Sequence, residues 1–173
     1  NIAARPQPRE RASLHDLSAL FTTAMISPRI KPLLSNKGRI MAAIRILTGS
    51  VYGGALQTAK TIKETLEPEG HQVSVLESPS LEDIVSNDDA LLVCTSTTGQ
   101  GELPPNLLPF YIDLKEQLPQ QPGRPFGIIV LGDSSYGDTF CGAGDLMEEA
   151  MYETAARKVG DTLKIDALET LEP

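Results

Sequence analysis

The chain reads as an α/β protein built on a doubly wound, five-stranded parallel sheet of order 2-1-3-4-5. Three observations predict this. Short apolar, β-branched runs alternate with stretches of helical spacing. The connections between successive runs are long enough for a crossover helix. A Gly/Ser/Thr-rich stretch follows directly on three of the runs. In a parallel sheet such stretches all open at one edge, where they can build a single pocket from distant parts of the chain. At 173 residues and 40% hydrophobic content the chain suits one domain with an appendage.

The appendage comes first. Residues 1–42 form a basic leader, expected to be flexible, with Pro6, Pro8, Pro28 and Pro32 and no clear period. A short amphipathic helix over 14–25 would place Leu14, Leu17, Leu20 and Phe21 on one face. Three readings stay open for this segment: a leader or translated stretch ahead of a start at Met41, an Arg-rich organelle-targeting peptide, or a partner-binding arm. The chain starts at Asn1 rather than Met, so a fragment is expected.

From residue 43 to 173 the pattern is regular. Residues 44–48 predict the first strand. Residues 55–66 predict a helix with Leu56, Ala59, Ile62 and Leu66 inward, stopped by Pro68 and Gly70. Residues 71–76 alternate as a strand with Val73 and Val75 on one face. The unbroken apolar run 90–95 suits a strand covered on both sides. Residues 105–118 predict a helix opening at its prolines, with Leu107, Leu108, Tyr111, Leu114 and Leu118 inward. Residues 126–131 form another apolar strand. Residues 143–158 predict a helix carrying Leu146, Met147, Ala150 and Ala155, ended by Gly160. Residues 162–165 predict the last strand, and the final helix that should follow is expected to be missing from this fragment.

The net charge of −8 is unevenly spread. Residues 1–40 carry seven Arg/Lys against two acids, a net +5, which leaves −13 on the remainder. Such a body repels nucleic acid and anionic membrane and favours basic protein partners. No apolar run is long enough to span a bilayer. Cys94 and Cys141 lie far apart without a Cys-x-x-Cys or a nearby His pair, so two reduced thiols are expected rather than a metal site or disulfide framework. His15 and His71 are expected at the surface, and no catalytic triad or metal constellation is visible.

The three loops carry the chemistry. Loop one, Thr48-Gly49-Ser50-Val51-Tyr52-Gly53-Gly54-Ala55, joins a strand to a helix N-terminus, where free N–H groups favour an anion. It lacks the Gly-Lys-Ser/Thr of a P-loop and the Gly-x-Gly-x-x-Gly of a dinucleotide site, so a phosphate held by neutral donors fits it best. Loop two, Thr95-Ser96-Thr97-Thr98-Gly99-Gln100-Gly101-Glu102, supplies hydroxyls and flexible glycines. Loop three, Leu131-Gly132-Asp133-Ser134-Ser135-Tyr136-Gly137-Asp138-Thr139-Phe140-Cys141, supplies an aromatic able to stack on a flat ligand. In the order 2-1-3-4-5, strands one and three flank the switch point, and all three loops meet there. A phosphate site, a polar flexible loop and an aromatic plate suit flavin mononucleotide.

In these three motifs the chain resembles the flavodoxin family, both the short-chain bacterial flavodoxins and the flavodoxin-like domains of diflavin reductases. The likeness runs over about residues 43–168. It implies noncovalently bound FMN and one-electron transfer without a catalytic residue. It implies that Ser50, Val51, Tyr52, Gly53, Gly54 and Ala55 cradle the phosphate. Thr95, Thr97, Thr98, Gly99, Gln100 and Gly101 would wrap one edge of the isoalloxazine, with the Gly99 carbonyl turning toward flavin N5. Leu131, Gly132, Asp133, Tyr136, Asp138, Thr139 and Phe140 would line the other side, Tyr136 stacked on the ring. Ala55 stands where many members carry Thr, and Thr98 where many carry Trp; Asp166 is a further contact candidate.

The resemblance implies an electron carrier docking basic-surfaced redox partners, a reductase donor and an acceptor enzyme, as a cytoplasmic monomer. Its alternatives are an FMN-dependent NAD(P)H:quinone-type reductase and the FMN domain of a larger diflavin reductase. A nonbinding α/β interaction domain is a third reading.

Overall fold

The computed structural model describes residues 33–34 and 40–167. The helix expected over 14–25, His15 and the final helix expected after the last strand lie outside them. A two-stranded antiparallel pair, β1 (Leu33–Leu34) and β2 (Ile40–Met41), leads into the main sheet. Ala42, assigned from sequence to the leader, is buried in the core.

The main sheet holds β3 (Ala43–Gly49), β4 (Gln72–Leu76), β5 (Ala90–Ser96) and β6 (Pro125–Gly132), all parallel. Two short pieces, β7 (Arg157–Lys158) and β8 (Leu163–Asp166), both pair with β6 and share the fifth position. The order is β4-β3-β5-β6 with β7 and β8 at the edge, the 2-1-3-4-5 arrangement expected from the sequence. The helices are α1 (Gly54–Leu66), α2 (Glu82–Val85), α3 (Leu108–Gln117) and α4 (Gly142–Glu153).

The strand runs are apolar throughout because both faces are covered. Ile44, Ile46, Leu92, Cys94 and Ile129 face α1 and pack with its Ala55, Ala59, Ile62 and Leu66. Leu47, Leu91, Val93, Phe126, Ile128 and Val130 face the other way, against α2, α3 and α4. Residues of opposite parity thus go to opposite clusters, as the pleat requires. Placing α1 on one face and α3 on the other opens the crevice between the ends of β3 and β5.

Several expectations need correction. In α1 the buried stripe runs through Ala55, while Leu56 is only half-buried. The helix expected over 105–118 begins at Leu108; Phe110 fills the core, while Leu108 and Leu118 are exposed. Leu118 leaves the helix at φ 42, which turns its side chain off the inner face. The helix expected to reach 158 stops at Glu153. There Thr154 Oγ1 donates to Met151 O at 2.7 Å and Ala155 adopts φ 63, so the chain reverses and Arg157–Lys158 joins the sheet. The short helix α2 was not foreseen. His71 is buried rather than superficial, and its Nδ1 accepts the Ala42 N–H at 3.3 Å.

Candidate functional site

Loops one, two and three emerge together at the C-terminal ends of β3, β5 and β6. They line a cleft of about 810 Å³, within the range of small-molecule sites. Its wall includes Ser50, Val51, Tyr52 and Gly54 from loop one, and Ser96, Thr97, Thr98, Gly99 and Gln100 from loop two. Loop three adds Leu131, Gly132, Asp133, Tyr136, Thr139 and Phe140. Of the other residues expected at the site, Gly53 caps α1, Ala55 and Thr95 are buried in the core, Gly101 is buried against Thr139 and Gly142, and Asp138 is exposed outside the wall. Ser96 and Cys141, members of loops two and three that were not singled out as contacts, also line the cleft, and Pro105 and Ala167 line it without having been foreseen.

Loop one is held open by its own side chain. Ser50 Oγ accepts the Gly53 N–H at 3.0 Å, and Gly53, at φ 87, passes its carbonyl to Gln57 N at 2.8 Å to start α1. Among the described residues, the N–H groups of Val51, Tyr52, Gly54 and Ala55 have no acceptor. A helix N-terminus with spare donors and no cation in the loop suits an anion held by neutral groups.

Loop two is a tight hairpin. Thr98 N donates to Glu102 O at 2.9 Å, and Glu102 N returns a bond to Thr98 O at 2.8 Å. Gly99 sits inside this turn at φ 52, and a Cβ there would collide with the Glu102 carboxylate. Thr97 N donates to Leu131 O at 2.8 Å, which ties loop two to the end of β6.

Loop three folds as a 3-10 segment, Ser134–Thr139, broken at Gly137. Asp133 caps it by accepting from Ser135 N at 2.8 Å, and Asp166 Oδ1 accepts from Ser134 N at 3.4 Å. Both acids therefore serve the loop itself. Tyr136 stands on this loop with 62% of its surface exposed at the cleft.

Asn106, between loop two and α3, was missed by sequence reasoning. It does not line the cleft, yet its amide reaches loop one: Oδ1 accepts from Ser50 N at 3.0 Å. Its type and position resembled a helix-start residue, and only the tertiary contact marks it.

Among the described residues, Asp133 is the one charged group in the wall. Burial pushes the Cys141 thiol up to about 11 and Cys94 up to about 12, so both are neutral at pH 7.

The site fits FMN on three observations. Thr97 Oγ1 is buried with no hydrogen-bond partner among the described residues, so the cleft wall holds an unsatisfied polar atom. The uncapped N–H groups of loop one match a phosphate. Tyr136 and the glycine hairpin of loop two stand on a mostly apolar cleft.

A doubly wound sheet with a ligand-sized cleft at its switch point defines the class of open α/β proteins that bind ligands at the carboxyl ends of their strands. The flavodoxin family profile matches residues 46–172. The chain is 42% identical over 134 residues to flavodoxin YqcA of Escherichia coli (strain K12), covering 77% of this chain and 89% of that one. It is 42% identical over 129 residues to protein MioC of the same strain, covering 75% and 86%. A cysteine-to-serine mutant of flavodoxin from Pseudomonas aeruginosa superposes with TM-score 0.69 at 45% identity, covering 76% of this chain and 88% of that one. The chain belongs to the flavodoxin family, and is an FMN-binding electron-transfer protein rather than an enzyme.

Proposed function

We propose that the protein shuttles single electrons between two redox partner proteins. FMN lies in the cleft with its phosphate on residues 50–55 and its ring between the loop-two hairpin and Tyr136. FMN binding is assigned to the body of the chain from residue 43 onward. The observation that carries the reading is the chemistry of the wall. Among the described residues it contains no Lys, Arg or His, and its one carboxylate is occupied in capping Ser135. Such a wall offers little general acid or base to act on a substrate and suits a bound redox group.

The surroundings favour basic partners. Val51, Tyr52 and Tyr136 are exposed at the rim, 45%, 99% and 62% respectively, and Glu102 and Asp138 are exposed beside them. Exposed apolar groups with exposed acids on the neighbouring loops suit transient docking of a basic protein surface. The same acids disfavour a further negative charge on the flavin and lower the potential of the second reduction. The protein acts as a cytoplasmic monomer, away from membranes and nucleic acid; among the described residues no helix is long and apolar enough to cross a membrane.

Stepwise anaerobic reduction of the FMN-loaded protein tests this. One-electron-reduced flavin should accumulate, and electron transfer to ferricytochrome c, a basic acceptor, should slow as salt rises. Direct two-electron reduction together with steady-state NADPH oxidation by quinone would establish a reductase instead.

A further inference from the structure

We propose that Asn106 is a positioning residue that holds loop one in its phosphate-binding shape from across the switch point. The proposal rests on the placement of the phosphate at residues 50–55.

The sheet itself cannot hold Ser50. The last β3–β4 register pair is Leu47 with Leu76, and the last β3–β5 pair is Gly49 with Thr95. Beyond these pairs the chain leaves the ladder. The Asn106 side chain sits in the fork thus formed. Its Nδ2 donates to Thr48 O at 3.0 Å and to Glu77 O at 2.5 Å, and its Oδ1 accepts from Ser50 N at 3.0 Å. One amide therefore joins the end of β3, the segment after β4 and Ser50 of loop one.

A chain of contacts runs on from there. Asn106 fixes the Ser50 backbone, Ser50 Oγ takes the Gly53 N–H, and the Gly53 carbonyl takes Gln57 N. The N–H groups of Ser50 and Gly53 are consumed internally, and those of Val51, Tyr52, Gly54 and Ala55 are left for an anion. Only a carboxamide supplies one acceptor and two donors at this site. A carboxylate would set an oxygen against two carbonyl oxygens, and an aliphatic side chain would leave all three backbone groups unpaired.

Asn106 touches neither the cleft nor the ring side of the site, so its effect should follow the phosphate alone. The experiment compares dissociation constants for FMN and for riboflavin, which lacks the phosphate, in the parent and in Asn106→Ala and Asn106→Asp. The parent should prefer FMN; equal affinity for the two ligands would remove the phosphate site itself. In both variants FMN binding should weaken about tenfold or more while riboflavin binding stays within about twofold. A parent that prefers FMN, with variants that keep that preference or lose both ligands by the same factor, would overturn the role of Asn106. So would failure of both variants to fold, since Asn106 would then serve folding rather than the phosphate.

Discussion

Gly132 lies against Cys141 so closely that a Cβ on it would stand 2.9 Å from both the backbone nitrogen and Sγ of Cys141. This contact closes loop three at its base, where β6 ends and α4 begins. Cys141 cannot easily yield. Its backbone is at φ 62 and its side chain is fully buried.

Gly132→Ala should therefore push the whole of loop three outward. Overpacking of this kind costs about 1–3 kcal/mol. The urea midpoint should fall accordingly, and FMN affinity should fall with it because Tyr136 is carried on the displaced loop. An unchanged FMN dissociation constant in a folded Gly132→Ala protein would show that the ring does not rest on loop three.

The two thiols give a pH dependence of known sign. Cys141 and Cys94 titrate at about 11 and about 12 in the folded protein, against 9.0 for a free thiol. The folded state thus keeps protons that the unfolded state loses. Stability from this source is complete below pH 9 and is lost as pH climbs toward 11 and 12. Thermal melts from pH 8 to 11 should show that decline. A thiol reagent at pH 8 should find almost no reactive group until denaturant exposes both. Rapid native labelling at pH 8 would contradict the buried, protonated state of both cysteines.

The sheet was legible because each strand run is short, apolar and followed by a loop of distinct chemistry. The runs at 90–95 and 126–131 read as strands covered on both sides, and the structure covers them so. The end of α1 at Leu66 was legible from Pro68 and Gly70, but the start of α3 and the end of α4 were not. Nothing in the pattern around Ala155 distinguishes a continuing helix from a reversal, since alanine is a strong helix former and here takes φ 63. The exposure of Leu108 hinges on where α3 starts, and a one-residue change rotates the apolar stripe by 100°. The loop residues facing the cleft were legible by chemistry; Asn106 was not, because its role exists only where three separate backbone segments meet.

Arg124 illustrates the same limit in the core. It is fully buried, and its guanidinium donates to Asp89 O, Ile84 O, Gln121 Oε1 and Asn87 Oδ1. A single side chain thereby ties the start of β6 to α2 and to the turn before β5. Arg124→Ala should take a donor from each of these oxygens, leaving Asn87 Oδ1 with its bond from the Asp89 N–H, and cost about 3–5 kcal/mol, read as a large drop in the urea midpoint. Arg124→Lys, which lacks the planar fork, should recover only part of the loss. The loops at the opposite edge of the sheet should keep their shape, so FMN affinity of any folded Arg124 variant should be close to the parent's.

Tyr136 separates the ring side of the site from the phosphate side. It is exposed at the cleft, and the hydrogen bonds by which its residue serves the loop are those of its backbone: its N–H donates to Asp133 O at 3.1 Å and its carbonyl accepts from Thr139 Oγ1 at 3.2 Å. Its side chain can therefore be removed without unpinning loop three. Stacking of a base on an aromatic side chain contributes about 1–3 kcal/mol, so Tyr136→Ala should weaken FMN about tenfold or more. Tyr136→Phe, which keeps the plate, should stay near the parent. Because the contact is with the ring, riboflavin should lose affinity by the same factor as FMN. Fluorescence titration of both ligands measures this directly, since bound flavin emission is quenched by the stacked ring. If Tyr136→Ala lowered FMN affinity and spared riboflavin, the phosphate would lie on loop three and the orientation of the flavin in the cleft would have to be reversed.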